Sequence, residues 1–516
     1  MRSLRAAEAR ALCALLIGAA LAADPARSES EVARDAATER AAPAESGRVQ
    51  NAPISGSTGG ASAAPPLRLP IAATDGDDVP RAGGDLTSFR FGTDAFSLPA
   101  PNLSATRRTA FFAGNSFFTQ PWVQAPSSTT ARDGLGPLFN TNTCQSCHLK
   151  DGRGRPPEAH EPMISMLVRV SVPAGPNAET QLRELGVVPH PVYGDQIQPH
   201  GIFGTPPEAT PHLRWTAVAG RFADGSPFEL TRPELELREL GYGPLGPGAM
   251  LSGRVAPALV GMGLLEAVPE SAILALEDPE DADGNGISGR ANRVFDRGQK
   301  QTVIGRFGWK AGQPTLRQQV AAAFAGDLGI TSDLFPEQPC TAAQSACASA
   351  RSGGGPELSG QILDLVTFYA QVLGVPGRRS TQSAIVRSGE GLFRQIGCTD
   401  CHVETLITRA DAEPPELASQ RIHAYSDLLL HDMGPELADG RPEWDANGRE
   451  WRTAPLWGIG LVEIVSRHTR FLHDGRARTI QDAILWHGGE AQASRDRFVR
   501  LSRIERDHLL LFLRSL

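Results

Sequence analysis

Two pentapeptides, Cys144-Gln-Ser-Cys147-His148 and Cys398-Thr-Asp-Cys401-His402, constrain this chain more than any other feature. C-x-x-C-H is the attachment motif of a c-type haem: two thiols add across the porphyrin vinyl groups, and the adjacent imidazole reaches the iron from one face. One copy has zinc-binding and redox readings; two copies in one chain predict two c-type haems, with His148 and His402 as proximal ligands. Each segment must then close a pocket around a large apolar disc. The surroundings of the motifs also repeat. Gly134-x-Gly136-Pro-Leu138-Phe139 and Gly389-x-Gly391-Leu392-Phe393 both stand four residues before the first cysteine. Each Leu-Phe pair is expected to end a helix that packs on its haem.

The remaining cysteines fit an oxidising compartment. Arg2, Arg5 and Arg10 precede an apolar run from Ala11 to Ala23, and Ala20-Leu21-Ala22 is a small-x-small site. That pattern predicts a secretory signal over 1–22, which removes Cys13. Export to the periplasm or the cell surface follows, with an uncleaved anchor as the other reading. Residues 23–84, rich in Ala, Ser, Pro and Gly, read as a flexible tether. Cys340 and Cys347 are left, in a Pro/Ala/Ser/Gly-rich segment, and are expected to pair as a disulfide. A redox-active pair is the alternative.

Ile385 to Ile396 reads as a helix ended by Gly397, and Ser502-Arg-Ile-Glu505 as a capping box opening the last helix. These parts bound a C-terminal cytochrome c domain over 380–516. The N-terminal haem domain is then 85–379. It includes a helix over Ser359–Leu373 and a hairpin turning at Asp224-Gly225. The expected fold class is mainly α: two cytochrome c-like haem domains, with loop-rich and small β insertions in the first. Asp281, Asp283 and Asn285 stand at alternate positions, as in a calcium loop, but Asn292 replaces the terminal Glu. Calcium and a plain hydrogen-bonded turn both remain open. The 50 basic residues against 58 acidic ones give a net charge of -8 and argue against a nucleic-acid partner.

Phe471-Leu-His473-Asp-Gly-Arg476-x-x-Thr479 through His487-Gly-Gly resembles the C-terminal signature of the bacterial di-haem cytochrome c peroxidase and MauG superfamily. Residues from about 110 onward resemble the di-haem oxidoreductase family more closely. Arg132 to Phe139, Tyr193-Gly-Asp-Gln196, Gly305 to Lys310 and His431-Asp-Met-Gly434 carry that likeness. It implies His487 as the second axial ligand of the C-terminal haem, at a position where the peroxidases usually hold Met; Met433 is the rival. It further implies Gln198 and, ten residues on, Glu208 as the pair working on peroxide at the first haem. His160 would be a removable distal ligand there, with His200 weaker. The implied activity is a peroxidase. Its partners would be hydrogen peroxide, or another small substrate, and a small periplasmic donor such as a mono-haem cytochrome or cupredoxin. The other readings are an electron carrier without its own substrate, or an oxidase of another molecule. Oligomeric state is left open.

Overall fold

The computed structural model describes residues 81–158 and 161–516. The predicted signal (1–22), nearly all of the tether (23–84) and His160 lie outside the described residues.

Helices α1 (Ala105–Thr119), α2 (Leu316–Leu328), α3 (Gly360–Gln371), α4 (Ala384–Gln395), α5 (Ile480–Trp486) and α6 (Arg503–Ser515) frame the two motifs. Their starts are chemically marked. Ser104, Thr315, Ser359, Thr479 and Ser502 each accept a backbone N–H of the first turn, and Ser502 with Glu505 forms the full capping box. Helix α4 stops at Gly397, whose φ of +84° suits glycine.

Helix makes up 30% and strand 18% of the described residues, so the mainly-α expectation is overturned. Every sheet among them is two-stranded. The strands that matter for the site are β1 (Leu138–Phe139), β2 (Met166–Ser171), β3 (His200–Gly201), β4 (Thr210–Arg221), β5 (Pro227–Arg238) and β6 (Met250–Val255). β1 pairs with β3, β2 with β6, and β4 with β5, all antiparallel. With 54 Gly and 40 Pro the chain cannot sustain long helices, and loops with short ladders satisfy much of its backbone. The hairpin turns at Asp224-Gly225 as expected, but its strands are twelve residues each, longer than the sequence pattern implies.

The expected helix ending at Leu138-Phe139 is also overturned, since this pair is strand β1. Pro137 has no N–H, and the Gly136 and Asn140 amides bond to the carbonyls of Leu328 and Asp327 at the end of α2. The segment is thereby held extended. The structural counterpart of α4 is α1. Phe118 of α1 lies 6.2 Å from the His148 ring at 48°, and Phe393 of α4 lies 6.2 Å from His402 at 52°. Each helix crosses a closing helix through a glycine. A Cβ on Gly114 would overlap the Leu365 carbonyl of α3, and one on Gly389 the His508 carbonyl of α6. The repeat is therefore Gly114…Phe117-Phe118 with Gly389…Leu392-Phe393. Residues 119–143 separate its first copy from Cys144.

The largest apolar core runs from Leu86 and Phe111 through Phe324 and Tyr369 to Leu429 and Trp457, on both sides of residue 380. A second core, with Phe393, Trp486, Phe498 and Phe512, surrounds the C-terminal motif. The hairpin spans the two halves. At its base Leu213, Leu235 and Leu237 pack near Tyr193. At its tip Phe222 meets Phe498, and Asp224 pairs with Arg506 of α6 at 2.7 Å.

Candidate di-haem site

Cys144–Cys147 is a single helical turn capped by Thr143, which delivers His148 into the core beside Phe118. Its Nδ1 lies 2.8 Å from the carbonyl of Pro257. A carbonyl only accepts, so Nδ1 carries the proton and Nε2 keeps its lone pair. Burial lowers the His148 pKa to about 4, so the ring is neutral. The second motif repeats this chemistry. His402 Nδ1 donates to Tyr425 O at 2.8 Å, and burial again holds the ring near pKa 4. None of the four motif cysteines is in a disulfide, and burial pushes each thiol up, Cys144 and Cys398 to about 12. A pair of thiols and a neutral imidazole with a free Nε2, presented twice beside aromatic rings, is a donor set that fits haem.

His487 ends α5, where its Nδ1 donates to Ala483 O at 2.6 Å and Nε2 is left free. It lies close enough to His402 to help depress that ring's pKa. Met433 packs against the same core. The neighbouring Trp486 Nε1 is buried and has no partner among the described residues, as expected where a bound group would complete the pocket.

Glu208 is 2% exposed. Its Oε2 accepts the Gln198 backbone N–H at 2.6 Å, and its Oε1 accepts Nε2 of Gln344. Burial raises its pKa to about 8, against the opposing effect of these two donors. The Gln198 side chain accepts from Asn140 Nδ2 at 2.5 Å and donates to Gly326 O at 2.6 Å. Asn140 precedes Cys144 by four residues, and the buried Asp327 carboxylate acts electrostatically on Cys144 and Cys147. Thus Gln198 and Glu208 are brought together, and Gln198 reaches the edge of the motif. His200 lies against Phe139, with ring centroids 5.5 Å apart and tilted by 31°. Sequence reasoning misses Gln344 and Asn140, because a single amide in a loop carries no spacing signal.

Cys340 and Cys347 form the expected disulfide. In the acidic loop, the carboxylates that converge are Asp278, Asp281 and Asp283. Asn285 instead receives the Ile287 N–H and donates to Asp283, and the twelfth position, Asn292, is a buried brace to Lys310 O and Glu443 O. Asp278 stands three residues ahead of the alternating Asp281-Asp283-Asn285 pattern, so that pattern does not point to it.

Between the two halves lies a buried charged cluster. Lys310, fully buried, pairs with Asp439 at 3.1 Å, and Arg254 reaches Asp439 and Glu443. Trp451 sits under Lys310 Nζ at 4.5 Å and stacks on His473 at 3.7 Å.

Two neutral, buried histidines carried on cysteine-bearing turns, with a third close enough to the second to act on it electrostatically, define a di-haem protein. The chain belongs to the di-haem oxidoreductase family: the family model described as "Di-haem oxidoreductase, putative peroxidase" matches residues 77–200 and 248–516. It is thus an oxidoreductase with two haems. Gln198 lies within the matched segments, whereas Glu208 and the hairpin lie in the unmatched stretch between them. No curated protein matches the chain. A hydrazine synthase from Kuenenia stuttgartiensis, solved under xenon pressure, is similar at 12% identity. That similarity covers 87% of this chain and 99% of that one, with a TM-score of 0.31.

Proposed function

We propose that this chain is a periplasmic di-haem c-type peroxidase. In this reading Cys144, Cys147 and His148 hold the peroxide-reducing haem. Cys398, Cys401, His402 and His487 hold the haem at which a small mono-haem cytochrome or cupredoxin delivers electrons. The haems, when bound, supply the redox chemistry of H2O2 + 2e⁻ + 2H⁺ → 2H2O.

The residues of the chain handle the protons and the geometry. Glu208 takes a proton from the attacking peroxide oxygen and returns it to the leaving one, as general acid–base catalysis requires. A group held near pKa 8 exchanges protons readily at neutral pH. Gln198 orients it through its backbone N–H and ties it to Asn140 at the motif. His487 is favoured over Met433 as axial ligand, because its free Nε2 and its closeness to His402 suit that place. The loop with Asp278, Asp281 and Asp283 is offered as a calcium site, since hard carboxylate oxygens converge there. Export rests on the N-terminal signal; no helix among the described residues is long and apolar enough to cross a membrane.

One observation carries the reading: a buried carboxyl held by two hydrogen-bond donors and joined through Gln198 to Asn140, four residues before the first motif. The test is peroxide-dependent oxidation of reduced cytochrome c by the half-reduced, haem-loaded protein. Turnover that collapses in Glu208→Gln supports the reading. Absence of turnover in the wild type overturns it and favours an electron carrier.

A further inference from the structure

The Glu208 carboxylate receives one of its two donors from an unexpected place. Gln344 lies within the segment closed by the Cys340–Cys347 disulfide and is fully buried. Its Oε1 accepts the Thr341 N–H at 2.8 Å, which fixes the orientation of the amide. Only Nε2 can then face Glu208, because the flipped amide would set an oxygen against the carboxylate. Thr341 Oγ1 donates to Val192 O at 2.8 Å, so the loop is also pinned to the turn segment that carries Tyr193, Asp195 and Gln198. The other groups acting on or acted on by Glu208 are the Asp195 carboxylate and the hydroxyls of Tyr193 and Tyr242.

We propose that Gln344 is the positioning residue of Glu208, and that the Cys340–Cys347 disulfide serves the site by fixing the loop that presents it. This rests on the reading of Glu208 as the proton carrier. A donor N–H favours the charged carboxylate and holds its plane. Without it, only the Gln198 N–H on Oε2 opposes burial and the Asp195 charge, and Oε1 loses the contact that fixes the plane of the carboxyl. A disulfide that merely stapled the surface would have no effect on that carboxyl.

The experiment uses the haem-loaded full chain and the variants Gln344→Leu, Glu208→Gln, their combination, and Cys340→Ser with Cys347→Ser. The first readout is the infrared C=O band of the protonated carboxyl that disappears in Glu208→Gln, titrated with pH. Its midpoint is expected to rise by about one pH unit in Gln344→Leu, because hydrogen bonds to charged groups are worth that much. The disulfide variant should move it the same way. The second readout is the pH profile of peroxide turnover, whose limb should shift with the band, and no limb should remain in the combined variant. An infrared midpoint unmoved in both Gln344→Leu and the disulfide variant overturns the proposal. If the wild type shows no peroxide turnover, the functional reading fails, while the infrared titration still decides the role of Gln344. Should Gln344→Leu fail to fold, Gln344→Asn, one methylene too short to reach Glu208, decides in its place.

Discussion

Gly389 and His508 touch backbone to backbone: a Cβ on Gly389 would overlap the His508 carbonyl and sit 2.8 Å from Phe512 Cβ. Gly114 makes the same approach to Leu365 and Tyr369, at 2.8 Å from the Tyr369 Cβ. These two crossings press Phe393 onto His402 and Phe118 onto His148.

Gly389→Ala and Gly114→Ala should each destabilise the fold by about 1–3 kcal/mol, since overpacking against a carbonyl outweighs the gain in helix propensity. Gly391 supplies the control: it lies in the same helix with nothing within 4 Å of its Cβ position. Gly391→Ala should be stabilising by up to about 1 kcal/mol. Denaturant midpoints of the three variants check this, and equal shifts would refute the packing argument.

Glu208→Gln should lower peroxide turnover by about 10²- to 10⁴-fold. In the wild type, turnover should climb as pH rises through about 8. Stability has the opposite sign. The folded carboxyl keeps its proton up to about pH 8, while the unfolded chain releases it near 4.5, so folding stability falls across that window as pH rises. Glu208→Gln should flatten that part of the stability curve, which chemical denaturation at a series of pH values would reveal.

His487→Met should raise the midpoint potential of the C-terminal haem, because a thioether raises the potential relative to a second imidazole. Met433→Leu should leave it unchanged. Redox titration with axial-ligand spectroscopy decides between them, and the reverse pattern would assign Met433.

Lys310→Met should cost about 3 kcal/mol, since it strips a fully buried ammonium from Asp439 and from the Trp451 face. Arg254 still partners Asp439, which keeps the loss near the lower end for a buried pair. Urea unfolding measures it, and an unchanged midpoint would show the pair to be dispensable.

Much of the frame is legible in the amino-acid sequence. The C-x-x-C-H pairs, the helix capped by Ser502 and Glu505, the stop at Gly397 and the Cys340–Cys347 bridge all follow from local chemistry. The pairing of Leu138-Phe139 with Leu392-Phe393 misleads for a physical reason. Equal spacing to a cysteine says nothing about backbone state, and Pro137 together with the end of α2 dictates strand there. The true counterpart, Gly114 to Phe118, is hidden by the detour of residues 119–143. Gln344, Asn140 and Asp278 escape detection because each acts through a contact that no period or motif announces. The mainly-α expectation fails because two-stranded ladders, most of them very short, satisfy loop backbone, and because the hairpin strands run to twelve residues each.

The hairpin tip has a consequence for the order in which the molecule can be made. Asp224 and Arg506, which anchor it to α6, are 282 residues apart in the chain. During synthesis the segment bearing Glu208 and the first haem motif therefore leaves the ribosome long before its anchor exists. The hairpin base can pack against Tyr193 in the first half, but its tip stays unanchored until the last helix arrives. The tip contacts with Phe498 and Arg506 are thus among the last tertiary contacts to form, whereas Asn140, Gln198, Glu208 and Gln344 all precede them in the chain.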